Sequence, residues 1–259
     1  MHPDFAFLDQ AEPIAFAHRG GAGDWAENTM PAFEGAVALG YRYLETDVHV
    51  TRDGVLLAFH DDVLDRVTDR TGCIREMDWA DVREAKVDGR EPIPRFDELL
   101  DAWPDIRINI DPKHGSAVEP LAAAITRARA IDRVCIGSFS DKRIATLRRL
   151  LGPALCTSLG PKGVARLRAA SYGLRARSFP APCVQIPPGR GSRALLDERL
   201  MATAVEHGVD VHVWTIDEPD EMQRLLDLGV HGIMTDRPAV LRDVLEARGQ
   251  WRGRPPTDP

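Results

Sequence analysis

Two histidines, an arginine and two alternating carboxylates fall inside one stretch: Ala17-His18-Arg19-Gly20-Gly21, Glu27-Asn28-Thr29, Leu44-Glu45-Thr46-Asp47 and Phe59-His60-Asp61. That collection suits phosphate ester chemistry. Cleaving a phosphodiester without a covalent carboxylate or serine needs an acid and a base on opposite sides of phosphorus, with cations to neutralise the equatorial oxygens. His18 and His60 are candidates for the pair; Arg19 and a carboxylate-bound divalent ion are candidates for the cations. Either histidine taken alone fits a structural role at a strand-to-loop transition equally well.

The alternation in Tyr43-Leu44-Glu45-Thr46-Asp47-Val48 adds geometry. Residues two apart on a strand share a face, so Glu45 and Asp47 point one way while Leu44, Thr46 and Val48 point the other. Two carboxylates on one apolar-flanked strand repel, and a hard cation with oxygen ligands relieves the repulsion. An exposed strand face is the bland alternative.

The elements that must position these groups alternate regularly. Strands are expected over 14–18, 41–50 with a return over 55–59, 106–111, 134–137, 154–157, 183–186, 211–215 and 232–235, separated by helical patterns. Asn28 or Thr29 caps the first helix, Ser116-x-x-Glu119 reads as a capping box, and Pro219 and Pro238 open the last two helices. Eight strands alternating with about eight helices is the count of a (β/α)8 TIM barrel. In such barrels chemistry sits at the C-terminal ends of strands, where His18, Glu45, Asp47, His60, Asp111, Ser138 and Trp214 fall. A doubly wound open sheet is disfavoured because no G-x-G-x-x-G follows the first strand. Residues 1–248 read as one catalytic domain carrying a polar, irregular insertion over about 61–95, and 249–259, rich in Gly, Pro and Arg, as a disordered tail.

At 259 residues, 44% hydrophobic and 28% charged, the chain can bury a substantial core, and its net charge of -7 argues against general nucleic-acid or acidic-membrane binding. An anionic substrate therefore needs a local positive site, which Arg19, Lys113 and a bound metal would supply. Cys73, Cys135, Cys156 and Cys183 are widely spaced and read as reduced thiols rather than a zinc motif. No secretory signal or membrane-spanning run is expected, and the cytoplasm is the expected location.

The combined motifs resemble the glycerophosphodiester phosphodiesterase family. The matching pieces are His18-Arg19-Gly20, Glu27-Asn28-Thr29, Glu45-x-Asp47, His60-Asp61 with Leu64-x-Arg66-x-Thr68, Ile108-Asn109-Ile110-Asp111-Pro112-Lys113, Ser138-Phe139, Val213-Trp214-Thr215, and Gly232-Ile233-Met234-Thr235-Asp236-Arg237-Pro238. The resemblance implies a TIM barrel with a small insertion after the second strand. It also implies metal-dependent hydrolysis of glycerophosphodiesters to glycerol 3-phosphate and an alcohol. Carried over by residue, His18 and His60 match the acid/base histidines, and Glu45, Asp47 and Asp111 the ligands of one divalent cation, magnesium or calcium, with manganese open. Arg19 and Lys113 match the phosphate-contacting cations, and Trp214 the tryptophan that lines the substrate pocket. The chain departs from the family at the third ligand, where Asp111-Pro112-Lys113 replaces Glu-x-Lys. The carboxylate is one methylene shorter, which leaves the preferred ion and ligation through water open. A lysophospholipase D-like lipid phosphodiesterase and a non-catalytic phosphodiester-binding barrel are the alternative readings. The expected partner is a small-molecule glycerophosphodiester, without nucleic acid or stable membrane insertion; the oligomeric state is open.

Overall fold

All eight strands expected from the sequence form, and they close into a ring. The computed structural model describes residues 5–11, 13–189 and 195–253. Its strands are β1 (Ile14–Ala17), β2 (Tyr43–Val50), β3 (Leu56–Ala58), β4 (Lys86–Val87), β5 (Glu91–Pro92), β6 (Arg107–Pro112), β7 (Val134–Ile136), β8 (Cys156–Thr157), β9 (Cys183–Ile186), β10 (Asp210–Val213) and β11 (Gly232–Thr235). Its helices are α1 (Met30–Ala38), α2 (Trp79–Val82), α3 (Phe96–Ala102), α4 (Val118–Arg127), α5 (Asp141–Leu151), α6 (Pro161–Ala170), α7 (Glu198–Glu206), α8 (Pro219–Asp227) and α9 (Pro238–Ala247).

The parallel ring runs β8-β7-β6-β2-β1-β11-β10-β9 and closes through a parallel bridge from Ser158 to Cys183. This is a (β/α)8 barrel, with β3 added as an antiparallel return on β2. The return matters for chemistry. β2 overshoots the barrel mouth, the chain reverses at Asp53-Gly54, and β3 runs back in register, pairing Val48 with Ala58. The Phe59 amide then donates to the Asp47 carbonyl at 3.0 Å, so His60 arrives beside the carboxylate strand.

Outward-facing residues of the ring, Leu44, Val48, Ile108, Ile110, Val134 and Ile136 among them, pack under the helices in one large apolar cluster. Inside the barrel bottom, Phe7 stacks on Phe16 and Tyr43 meets both edge-on, with ring centroids 5.2 to 6.4 Å apart. Each such buried aromatic contributes on the order of 1.5–3 kcal/mol of burial. The barrel is therefore a plugged core rather than a pore, and solvent reaches only its mouth.

Four local expectations change. Thr29, not Asn28, caps α1, accepting from the Ala32 amide. Asn28 holds a left-handed φ of 56° and its side chain is committed elsewhere. Ser116 does not cap α4, because a short 3-10 turn precedes the helix and the Ser116 amide instead donates to the His114 ring. The segment over 61–95 is not merely polar and irregular: Leu64, Ile74, Val82, Ala85, Val87 and Ile93 bury a small core of their own against Leu57 and Phe59. Finally, the chain past 249 does not leave the barrel at once, since Trp251 packs edge-on to Tyr41 at 5.1 Å. An indole can cover apolar surface that Gly, Pro and Arg cannot. Residues 254–259 of the expected tail lie outside the described residues.

Candidate active site

A cavity of about 800 Å3 opens at the C-terminal ends of the strands, lined by His18, Arg19, Glu45, Asp47, His60, Asp111, Lys113 and Trp214. Every site residue expected from the sequence therefore faces one space. Its floor is a hydrogen bond from Gln185 Nε2 to Asn109 Oδ1, 2.7 Å long. Gly137 makes room for that bond, because a Cβ there would lie 2.5 Å from the Gln185 oxygen.

His18 leaves β1 in a tight turn with Arg19 at φ 51° and Gly20 at φ 81°. Gly20 is required twice over: its φ suits glycine, and a Cβ would meet the Ala32 backbone of α1 at 2.9 Å. The turn aims the Arg19 amide at Glu45 Oε2, 3.1 Å away. His18 Nδ1 meets Asp236 Oδ1 at 2.6 Å, and His18 Nε2 lies 3.7 Å from Glu45. Burial alone would lower the His18 pKa, but Glu45 and Asp236 outweigh it and the pKa is raised.

His60 is held in a parallel way. Its Nδ1 meets Asp61 Oδ1 at 2.5 Å, and Arg66 Nε donates to the other Asp61 oxygen at 2.5 Å. Arg66 in turn donates to both oxygens of Glu27, which also accepts from Arg19 at 3.1 Å. Burial would raise the Asp61 carboxyl, yet Arg66 and His60 hold it down at about 2. An ionised carboxylate only accepts, so in both pairs the proton on Nδ1 is donated and Nε2 is the nitrogen left to exchange a proton. The buried His49 fixes the turn by donating from Nε2 to the His60 carbonyl at 3.0 Å.

The carboxylates sit on adjacent strands, with Glu45 paired to Asn109 and Asp47 to Asp111 in register. Lys113 Nζ bridges Asp47 at 2.7 Å and Asp111 at 2.9 Å, while Arg19 approaches Asp47 at 3.3 Å. Burial and the neighbouring Asp47 push Glu45 up to about 7. Burial also raises Asp111, whose Oδ1 is buried with no hydrogen-bond partner. The remaining wall is apolar: Phe139, Leu159, Val164, Ile186, Leu195 and Trp214 face the same cavity. Phe139 is 69% exposed and stands edge-on to Trp214 at 5.8 Å.

The model of the glycerophosphoryl diester phosphodiesterase family matches residues 18–240 of this chain, from the first histidine of the site to the start of α9. The chain belongs to that family.

The phosphodiesterase is 42% identical over 257 residues, 97% of each chain, to the Mycobacterium tuberculosis protein named probable glycerophosphodiester phosphodiesterase 2. It is 30% identical to human lysophospholipase D GDPD1, over 88% of this chain and 85% of that one. A solved Oleispira antarctica phosphodiesterase, in complex with the product sn-glycerol-3-phosphate, shares the fold at a TM-score of 0.75 and 20% identity, covering 90% of this chain and 97% of that one. The enzyme is accordingly a phosphoric diester hydrolase. Among its described residues no helix is long and apolar enough to cross a membrane.

Several site groups of the phosphodiesterase carry no role in the sequence reading. Asp236 is part of the Thr235-Asp236-Arg237-Pro238 motif, but only closure of β11 on β1 brings it to His18. Asn28, read as a cap, donates to Asp47 Oδ2 at 3.3 Å and accepts from Thr46 at 2.7 Å. Arg66, matched in Leu64-x-Arg66-x-Thr68 without a role of its own, anchors the His60 side through Asp61. Asp236→Asn is expected to lower kcat about 10- to 100-fold, the usual penalty for losing a group that orients a functional histidine, with little change in KM. Steady-state kinetics of that variant check it; unchanged kcat would remove Asp236 from the positioning of His18.

Proposed function

We propose that the phosphodiesterase hydrolyses glycerophosphodiesters to glycerol 3-phosphate and an alcohol, with His18 and His60 as the acid/base pair and with one divalent cation. The observation that carries this reading is the matched pair of histidines, each tied through Nδ1 to a carboxylate beside a cluster of oxygen ligands. Each ring is thereby fixed in tautomer and orientation with Nε2 as its exchanging nitrogen. One takes a proton from the nucleophile and the other gives one to the departing alkoxide. Arg19 and Lys113 contact the non-bridging oxygens, and Trp214 bounds the pocket on the apolar side.

Glu45, Asp47 and Asp111 fit a hard cation. They supply only oxygen, they are buried, and Asp111 Oδ1 is an acceptor without a donor. Magnesium or calcium, or manganese, would be held by these three and would polarise a phosphate oxygen. Lys113 and Arg19 offset the charge of the carboxylates, with Lys113 lying between Asp47 and Asp111.

The apolar wall favours a second reading in which the glycerol of the substrate carries an acyl chain, so that the head group leaves as the alcohol and the phosphate stays on the acylglycerol, the cleavage that the name lysophospholipase D denotes for the human relative. Release of glycerol 3-phosphate from small glycerophosphodiesters, and of acylglycerol phosphate from lysophospholipids, measured with magnesium, calcium, manganese or chelator, separates the two. Metal-dependent release from the water-soluble diesters supports the first; release confined to the lipids supports the second. Full turnover in chelator would sink the metal requirement.

A further inference from the structure

Three of the four cysteines, far apart in sequence, meet inside the barrel. Cys135 on β7, Cys156 on β8 and Cys183 on β9 come from consecutive strands: Cys135 and Cys156 are in register, and Ser158 just past β8 bridges to Cys183. All three are buried and free, and their sulfurs lie within 4.8 Å of one another, with Cys135 and Cys183 at 4.0 Å. They lie below the floor of the catalytic cavity, since Gln185 stands two residues further along β9 toward the mouth than Cys183.

A filler role accounts for the thiols, because cysteine is a small residue often found in cores. It does not account for His212. This residue on β10 is 0% exposed, in register with Gln185, and neither ring nitrogen makes a hydrogen bond. Its ring is pinned by Phe16 at 5.1 Å and by Gly232, where a Cβ would come within 2.9 Å of Cδ2. A buried polar group left unpaired costs on the order of 1–3 kcal/mol, so a ring held in this state calls for a ligand. By strand register His212 shares the barrel-interior face with Gln185 and, two residues below it on β9, with Cys183.

We propose that Cys135, Cys156, Cys183 and His212 form a buried Cys3His site for a thiophilic divalent ion of the zinc class, separate from the oxygen ligands at the mouth. Three thiolates and an imidazole are a closed tetrahedral zinc set, and zinc-sulfur bonds of about 2.3 Å place sulfurs about 3.8 Å apart. The sulfurs need a contraction of up to about 1 Å to reach that, and the His212 ring, which does not lie within 4.8 Å of all three, must move further to join them. Binding replaces the thiol protons, which leave to solvent, while His212 contributes a nitrogen lone pair. The net negative charge of the loaded site is offset by Arg148, which donates to Thr157 beside Cys156 and interacts with all three sulfurs. Ligand softness keeps the two sites apart, sulfur and imidazole selecting zinc while carboxylates select magnesium or calcium.

Cobalt(II) tests this, because only thiolate ligation gives intense near-ultraviolet charge transfer. The full-length chain is refolded with cobalt, with excess magnesium present to hold the carboxylates. The expected result is charge transfer with strong tetrahedral visible bands, bleached by one equivalent of zinc. Cys156→Ser should remove one sulfur's share of the charge-transfer intensity, and His212→Gln should alter the visible bands while retaining charge transfer. The zinc bleaching needs no variant, so misfolding of either substitution leaves the test intact. A chain with native circular dichroism and no charge transfer at saturating cobalt overturns the proposal. Colour that survives replacement of all three cysteines does so equally.

Discussion

His60→Ala is expected to release glycerol 3-phosphate about 10²-fold or more slowly than the unsubstituted enzyme while the divalent ion still binds, the usual range for losing a positioned acid or base. A factor of that size is about 2.7 kcal/mol of transition-state stabilisation. The substitution is a clean probe because the structure around the ring does not depend on it. His49 holds the His60 carbonyl rather than the imidazole, and Asp61 keeps its hydrogen bond from Arg66, which Glu27 in turn holds at two points. The side chain is 30% exposed, so no core cavity opens. The melting temperature should therefore stay within a few degrees as kcat falls, with KM little changed. Wild-type rates would remove His60 from the proton-transfer pair; a large loss of stability would assign it to the fold. His18→Ala is a less direct measurement, because that ring is more buried and is paired to Asp236 across the β1-β11 closure.

The difference between the two histidines also marks what the sequence makes legible. Glu45 and Asp47 share a face by the period of a strand, and His60-Asp61 are chain neighbours, so local rules suffice for them. Eight strands with intervening helices leave few architectures, and barrel closure then places every strand end on one rim. What closure pairs with what is another matter. Asp236 lies 218 residues from His18, and nothing in either segment names the other. The three interior cysteines lie on strands that become neighbours only in the ring, which is why their spacing reads as unrelated thiols. Asn28 is misread for a different reason. Two adjacent residues could each cap α1, and the choice is made by buried Thr46 and Asp47, which take the Asn28 amide and leave Thr29 to the helix. The apolar wall is invisible because its members come singly from separate strand ends, loops and a helix.

The carboxylates supply a sharper test, since two ligands of one proposed ion are expected to shift stability in opposite directions. Burial would raise the Asp47 carboxyl, but Lys113 and Arg19 outweigh burial and its pKa is lowered. Its ionised form therefore stabilises the fold above the ordinary carboxylate pKa, and that contribution is lost as pH falls through the lowered value. Glu45 is the reverse: burial and Asp47 push it up to about 7 from 4.5, so keeping it ionised costs stability. That cost develops as pH rises from about 4.5 to about 7 and is complete above. Asp47→Asn leaves Lys113 and Arg19 buried beside a neutral amide. Removing one partner of a buried pair costs about 3–5 kcal/mol, and the lower figure applies here because Lys113 keeps Asp111 and Arg19 keeps Glu27. In a chain of this length that is a melting temperature lower by roughly 10 °C. Glu45→Gln should raise the melting temperature at pH 8 and flatten the loss of stability between about pH 4.5 and 7. Both variants should lose metal-dependent turnover. Thermal denaturation in chelator across that pH range, beside the activity assay, reads all of this. Shifts of the same sign in the two variants would show that the cations do not divide the carboxylates as the distances indicate. Opposite signs with activity lost in both would mean that Glu45 is retained for ion binding at the expense of the fold.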